Sequence, residues 1–275
     1  MLVNPSDFLG EAKRGNYAVP APNFFDLNSA RSYVKVAEKL QKPVILALAE
    51  SHLGYIGLEE GALIGKFLAK KANVPVALHL DHGFTEKVIQ DAVALGFTSV
   101  MIDASTDPFD RNVARTKAIV DFAAPQGVQV EAEIGHVGSG ENYENLEESD
   151  SEYTTVDEAK EFVRLTGIDS LAVSIGTAHG IYKGEPHLNF DRLHELQREI
   201  AVPLVLHGSS GSGDENLHRS ATEGISKINV FTDFDQIALK AVTKQPFNDY
   251  TALLTAANNA IEDMLEHYYG VFSTQ

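Results

Sequence analysis

The chain has no cysteine and no tryptophan, and only three methionines among its 275 residues. Without cysteine there are no disulfide staples, no thiol nucleophile and no thiolate metal site, so any metal must sit on histidine and carboxylate. Ten histidines make such a site feasible. Positive charge is scarce too: 22 Lys and Arg face 39 Asp and Glu, a formal net charge of −17. That balance repels nucleic acid and anionic membranes, and no local basic patch offsets it, so neither is expected as a partner. No segment reaches the ~18 apolar residues of a membrane span. The first sixteen residues carry Asp7, Glu11, Lys13 and Arg14 instead of a leader-like apolar run. The expected location is cytoplasmic.

What is present is a rhythm. Hydrophobic residues make up 44% of the chain, ample for one large core. Short β-rich runs occur at Tyr17 to Val19, Val44 to Ala49, Val76 to Leu80, Ser99 to Ile102, Val128 to Ile134, Ser170 to Ser174, Leu204 to Leu206 and Lys227 to Val230. Between them lie stretches of helical period, such as Asn28 to Leu40, Leu58 to Ala72, Glu86 to Leu95, Asp110 to Ala123, Asp157 to Leu165 and Phe190 to Glu199. Thr85 is placed to cap the third of these helices and Pro108 to sit in the first turn of the next. Eight repeats with no linker predict an α/β fold, a single (β/α)8 barrel domain over residues 1–275. A doubly wound sheet is the competitor. Two segments stand outside the rhythm. One is a polar, acidic stretch around 138–157, read as an active-site lid with a solvated loop as the plain alternative. The other is an apolar helical extension around 248–270, which either packs on the barrel wall or mediates a dimer.

The barrel is preferred because the polar residues gather at strand ends. Strand three runs into His79-Leu80-Asp81-His82-Gly83, strand four into Asp103, and strand five carries Glu131 and Glu133. Strand six leads to Gly176-Thr177-Ala178-His179-Gly180, strand seven to His207-Gly208-Ser209-Ser210-Gly211, and strand eight to Asn229-Val230-Phe231-Thr232. In a barrel all these ends share one rim. His82, His179 and His207 each precede a glycine. A lone His-Gly pair is commonly a loop feature, but three on one rim form a metal-ligand set with an open position. His79 is expected to point into the barrel. His52 and His136 read as loop residues, His187 as a turn residue, His194 and His218 as helix surface, and His267 as tail. Asp81 is a proton-transfer candidate, or else a group that orients a metal ligand. Asp103 and Glu133 are candidates for a second cation position or for rim hydrogen-bond acceptors. The Gly/Ser loop at 208–211 and the loop at Asn229, Val230, Phe231 and Thr232 precede helix starts, where barrels commonly hold phosphate. Lys183 can add a point charge. A metal, a carboxylate and a phosphate pocket together point to aldol cleavage or isomerisation of a phosphorylated carbonyl compound.

Five strings carry a resemblance: His-Leu-Asp-His-Gly (79–83), Val-Glu-Ala-Glu-Ile-Gly (130–135), Gly-Thr-Ala-His-Gly-Ile-Tyr-Lys-Gly-Glu-Pro (176–186), Leu-His-Gly-Ser-Ser-Gly (206–211) and Asn-Val-Phe-Thr (229–232). In this order they resemble the class II, zinc-dependent ketose-bisphosphate aldolases of the fructose- and tagatose-bisphosphate type, from Tyr17 through residue 240. The resemblance implies a lyase of carbohydrate metabolism and glycolysis, with Zn2+ on His82, His179 and His207. It also implies a second divalent ion at Asp103 and Glu133, and a monovalent cation, Na+ or K+, beside the substrate. Asp81 matches the residue that exchanges the C4 hydroxyl proton, and Glu141 the one that moves the C3 proton of dihydroxyacetone phosphate. Gly180, Gly208, Ser209, Ser210 and Asn229 to Thr232 match the family's contacts to dihydroxyacetone phosphate. A homodimer or homotetramer is expected on the same ground.

Three departures concern the aldehyde half and the lid. The lid reads Gly138-Ser139-Gly140-Glu141-Asn142 where the family often has Gly-Gly-x-Glu-Asp, and Ala49-Glu50-Ser51-His52 replaces a small Ser/Gly-rich pattern. No Lys or Arg follows Lys244. A Schiff-base aldolase would need a lysine at a strand's C-terminal end, whereas Lys42 and Lys227 lie at strand beginnings. A non-catalytic sugar-phosphate-binding barrel would need neither Asp81 nor Glu141.

Overall fold

The computed structural model describes residues 1–135, 153–177 and 186–275, and among these eight parallel strands alternate with helices. The strands are β1 (Val19–Pro22), β2 (Val44–Ala49), β3 (Val76–Gly83), β4 (Ser99–Ile102), β5 (Gln129–Ile134), β6 (Ser170–Val173), β7 (Leu204–Leu206) and β8 (Ile225–Val230). They lie side by side in the order β1-β8-β7-β6-β5-β4-β3-β2. The remaining gap, between β1 and β2, is bridged at Asn23 and Ala47, where the Phe24 amide donates to the Ala47 carbonyl at 2.9 Å. The expected (β/α)8 barrel is the fold.

Side-chain alternation explains why polar residues can occupy such strands. In β3, Val76, Leu78 and Leu80 face the helices and join the main hydrophobic core, while Ala77, His79 and Asp81 occupy the alternate, inward positions. In β5 the outward set is Val130, Ala132 and Ile134, leaving Glu131 and Glu133 inside. In β8 it is Ile228 and Val230, leaving Lys227 and Asn229 inside. The N-terminal end of the barrel is plugged by α1 (Ser6–Gly15), whose Phe8, Leu9 and Ala12 pack against Val19, Ala21, Ile45 and Ala77.

The wall helices are α2 (Leu27–Leu40), α3 (Leu58–Lys71), α4 (Glu86–Leu95), α5 (Phe109–Ala123), α6 (Val156–Thr166), α7 (Phe190–Glu199), α8 (Asp214–Glu223) and α9 (Thr232–Thr243). A final helix, α10 (Tyr250–Val271), packs one face on the barrel wall: Ile261, Leu265, Tyr268 and Tyr269 are buried in the main core, and the Tyr269 hydroxyl donates to the Pro43 carbonyl at 2.8 Å. No helix among the described residues is long and apolar enough to cross a membrane.

Two start signals act differently from expectation. Thr85 is the N-cap of α4, but its side chain makes no capping bond. Glu50 Oε2 accepts from the Phe84 and Thr85 amides just ahead of the helix, at 2.7 and 3.0 Å, placing a negative charge at its N-terminus. Pro108 is itself the N-cap of α5, so that helix begins one residue later, at Phe109.

β1 also lies two residues later than the hydrophobic run suggests. Pro20 and Pro22 stand inside it, and strand interiors normally exclude proline because it cannot donate to the ladder. Here the strand ladders with β8 on one side and meets β2 only through the bridge at Asn23, so fewer donors are required.

Candidate active site

Both Asp81 and His82 line one cavity of about 260 Å3 at the C-terminal mouth of the barrel. Adjacent residues on a regular strand point to opposite faces. β3 escapes that rule through a register irregularity between Leu80 and Gly83, and His82 takes a left-handed φ of 44°. Such a conformation is costly for a residue with a Cβ and collects at functional sites. Gly83 has a structural reason of its own: a Cβ there would lie 2.5 Å from the Met101 carbonyl oxygen, so only glycine lets β3 meet β4.

Asp81 is buried and held from two sides. Asn23 Nδ2 donates to Oδ2 at 2.7 Å and Asn229 Nδ2 donates to Oδ1 at 2.8 Å. Burial alone would raise its pKa, but the neighbouring His82, His207 and Lys227 charges hold it well below the usual carboxylate range. His82 Nδ1 pairs with Asp103 Oδ2 at 2.8 Å, and Asp103 Oδ1 accepts from the Ser105 hydroxyl at 2.8 Å. His207 sits against His82 with ring centres 4.4 Å apart, its Nδ1 lying 3.9 Å from Asp81 Oδ1 and its Nε2 3.0 Å from Glu131 Oε1.

Ligating atoms of Asp81, His82 and His207 come within 4.8 Å of one another, as do those of His82, Asp103 and Glu133. Ligand atoms of a tetrahedral zinc site are separated by roughly 3.3 Å. A contraction of an ångström or so would therefore close either group on an ion, and imidazole with carboxylate is the donor chemistry that zinc accepts. His179 lies outside the described residues, as do Gly180, Lys183, Glu141 and most of the expected lid. The structure thus brings two of the three expected histidines together, with Asp103 and Glu133 beside His82.

Burial opposes charge on His82, but Asp81, the Asp103 hydrogen bond and Glu133 outweigh it and push its pKa up to about 9. His207 goes the other way, lowered by burial and by the His82 charge. A metal ligand must be neutral imidazole. The apparent affinity for a divalent ion is therefore expected to rise with pH and level off above about 9, as measured by chelator competition between roughly pH 6 and 10. In the metal-free chain the same shift stabilises the fold below about pH 6.5, and that contribution is lost as pH rises through about 9.

The expected anion loops form the cavity's other wall. Gly208, Ser209, Ser210, Asn229, Phe231 and Thr232 line it, whereas Val230 packs into the main core. Ser209 spends its hydroxyl on the Asn229 carbonyl, tying the two loops together, and Ser210 Oγ accepts from the Asp233 amide at the start of α9. No lysine or arginine lines the cavity among the described residues.

Sequence reasoning missed four participants. Asn23 was passed over because β1 was placed too early. His52, taken for a loop residue, lines the cavity with its ring 4.3 Å from that of Phe231. Glu131 was noted only as a strand-end carboxylate, although its even spacing from Glu133 was the available signal. Lys227 was set aside as lying on the wrong rim. Its Nζ is inside the barrel, 2.7 Å from Glu131 Oε2 and 3.0 Å from His79 Nε2, which bears out the inward placing of His79. Losing either member of this buried pair would strand the other charge, at a cost of roughly 3–5 kcal/mol.

A family model described as "Fructose-bisphosphate aldolase class-II" matches residues 3–275. The YdjI aldolase from Escherichia coli K12 is 34% identical, with 100% of this chain and 98% of that one covered at a TM-score of 0.91. A fructose-bisphosphate aldolase (Fba) from Campylobacter jejuni shares the fold at 22% identity, covering 99% of this chain and 95% of that one at a TM-score of 0.83.

Proposed function

The chain belongs to the class II fructose-bisphosphate aldolase family, and from the arrangement at its cavity we propose a metal-dependent lyase that reversibly cleaves a phosphorylated ketose into dihydroxyacetone phosphate and an aldehyde. The observation that carries this reading is Asp81, buried and clamped by two asparagine amides beside the His82 and His207 imidazoles. Binding alone would not require an acceptor carboxylate so placed.

His82, His207 and, by the family pattern, His179 would hold Zn2+, with Asp103 and Glu133 offering a second divalent ion a place beside His82. A bound ion supplies Lewis-acid polarisation of the ketose carbonyl. Asp81 takes the C4 hydroxyl proton as the C3–C4 bond breaks. The bonding pair stays on C3 as an enediolate, and C4 departs as the aldehyde. Glu141 is the residue we assign to protonating C3, giving dihydroxyacetone phosphate. The phosphate would rest on the backbone amides of Gly208, Ser209, Ser210, Asn229, Phe231 and Thr232 and on the Ser210 and Thr232 hydroxyls at the start of α9, where the helix dipole favours an anion. Gly180 and Lys183, and Na+ or K+ on backbone carbonyls, complete the proposed subsite.

Fructose and tagatose 1,6-bisphosphates are the substrates the family suggests. The absence of Lys and Arg among the described cavity residues, and after Lys244 in the sequence, favours a second reading in which the aldehyde end carries no phosphate. Screening ketose 1-phosphates and 1,6-bisphosphates for released dihydroxyacetone phosphate tests both readings. We expect turnover with at least one ketose, and no release from any of them would refute the proposal.

A further inference from the structure

Beneath the cavity a chain of buried polar groups runs across five strands: Ser99 on β4, His79 on β3, Lys227 on β8, Glu131 on β5 and His207 just after β7. Its links are His79 Nδ1 to Ser99 Oγ at 2.5 Å, Lys227 Nζ to His79 Nε2 at 3.0 Å, Lys227 Nζ to Glu131 Oε2 at 2.7 Å, and His207 Nε2 to Glu131 Oε1 at 3.0 Å. Ser170 Oγ also donates to Glu131 Oε2, at 3.2 Å. All six residues are buried. The proposed reaction uses none of this chain except its last member.

The chemistry of the donors fixes the hydrogens. An ammonium only donates, so His79 Nε2 accepts and its hydrogen stands on Nδ1, toward Ser99. A carboxylate only accepts, so with Lys227 and Ser170 on Oε2, Glu131 turns Oε1 toward His207 and requires the hydrogen of that ring on Nε2. The other nitrogen, Nδ1, is then the lone-pair atom, and it is the one on the Asp81 side.

We propose that Glu131 and Lys227 are positioning residues that fix the tautomer and orientation of His207, so that Nδ1 is presented as a metal ligand at the cavity floor. The inference rests on the metal reading above. A carboxylate behind a ligating histidine raises its basicity and holds its ring, and losing it typically costs 10–100-fold in metal affinity. Lys227 acts one bond further back: it balances the Glu131 charge inside the barrel and holds Oε2, so that Oε1 stays directed at His207.

Two measurements test this. In metal-free wild-type protein, long-range 1H–15N correlation spectra should show the His207 hydrogen on Nε2. A hydrogen on Nδ1 would overturn the proposal. Zinc affinity is then measured by chelator competition for Glu131→Gln and for the double variant Glu131→Leu/Lys227→Met, which replaces the charge pair with apolar side chains that a barrel interior can accommodate. Either variant, once shown by thermal unfolding to be folded, should bind Zn2+ about 10–100-fold more weakly than the parent. A purely structural role for the pair would lower the unfolding temperature and leave affinity within about threefold, and that result would sink the idea. If the parent itself fails to bind zinc, the metal reading falls first and takes this inference with it. If the parent binds and the variants bind equally well, only the inference is lost.

Discussion

Replacing Asp81 with alanine is expected to lower carbon–carbon cleavage at least about 100-fold, the scale of a lost general base, while zinc content stays at the wild-type level. The second half of that expectation matters because the geometry admits a rival role. Asp81 belongs with His82 and His207 to a set of ligand atoms within 4.8 Å of one another, so it could itself be a metal ligand. Loss of turnover with zinc retained identifies the proton acceptor, and loss of both identifies a ligand. The clamp predicts the subtler variant as well. In Asp81→Asn an amide nitrogen would face the Asn23 or Asn229 amide, setting donor against donor. The asparagine variant should therefore lose about as much activity as the alanine one, despite its closer shape. Activity in Asp81→Ala within tenfold of wild type would exclude the proposed proton transfer.

Chelation should have the largest effect of all. Lewis-acid stabilisation contributes several kcal/mol at the transition state, and each ~1.4 kcal/mol is a factor of ten in rate. Removing the divalent ion is therefore expected to cut cleavage by at least about 1000-fold, with Zn2+ restoring it. The rival is a Schiff-base mechanism, which would survive chelation and be trapped by borohydride. Lys227 is the inward lysine at the barrel core, and its ammonium is committed to Glu131 and His79 below the cavity floor. That placement leaves it without the uncharged, cavity-facing amine that imine formation needs. Chelator-insensitive turnover would overturn the metal reading whatever substrate is used.

The strands and most helices were legible because burial imposes a period that a single sequence records. Outward Val76, Leu78 and Leu80 and outward Val130, Ala132 and Ile134 are spaced by two, and the helices between them show an apolar stripe. Legibility failed where one residue type serves two demands. The first strand was placed at Tyr17 to Val19, yet it runs from Val19 through Pro20 and Pro22, which are tolerated beside the barrel's sparse closure. Thr85 is the N-cap of α4 but its side chain makes no capping bond, and its amide is held instead by Glu50, thirty-five positions earlier in the chain. Lys227 seemed to be on the wrong rim because a long side chain anchored at a strand's start was not expected to end in an interior ion pair.

Within the site, the residue types and their order along the chain were set by the sequence alone: histidines, carboxylates and Gly/Ser loops at successive strand ends point to one rim, because parallel strands joined by helices must all end on the same side. Which atoms face each other was decided only in three dimensions. Asp81 and His82 share a cavity because β3 bulges, Asn23 reaches Asp81 because the barrel closes there, and His207 is backed by Glu131 because β5 and β7 bring those two side chains together inside the barrel. Periodicity reports the face of a strand on which a side chain lies. Register, bulges and ring closure set what stands opposite, and they depend on contacts between residues far apart in the chain.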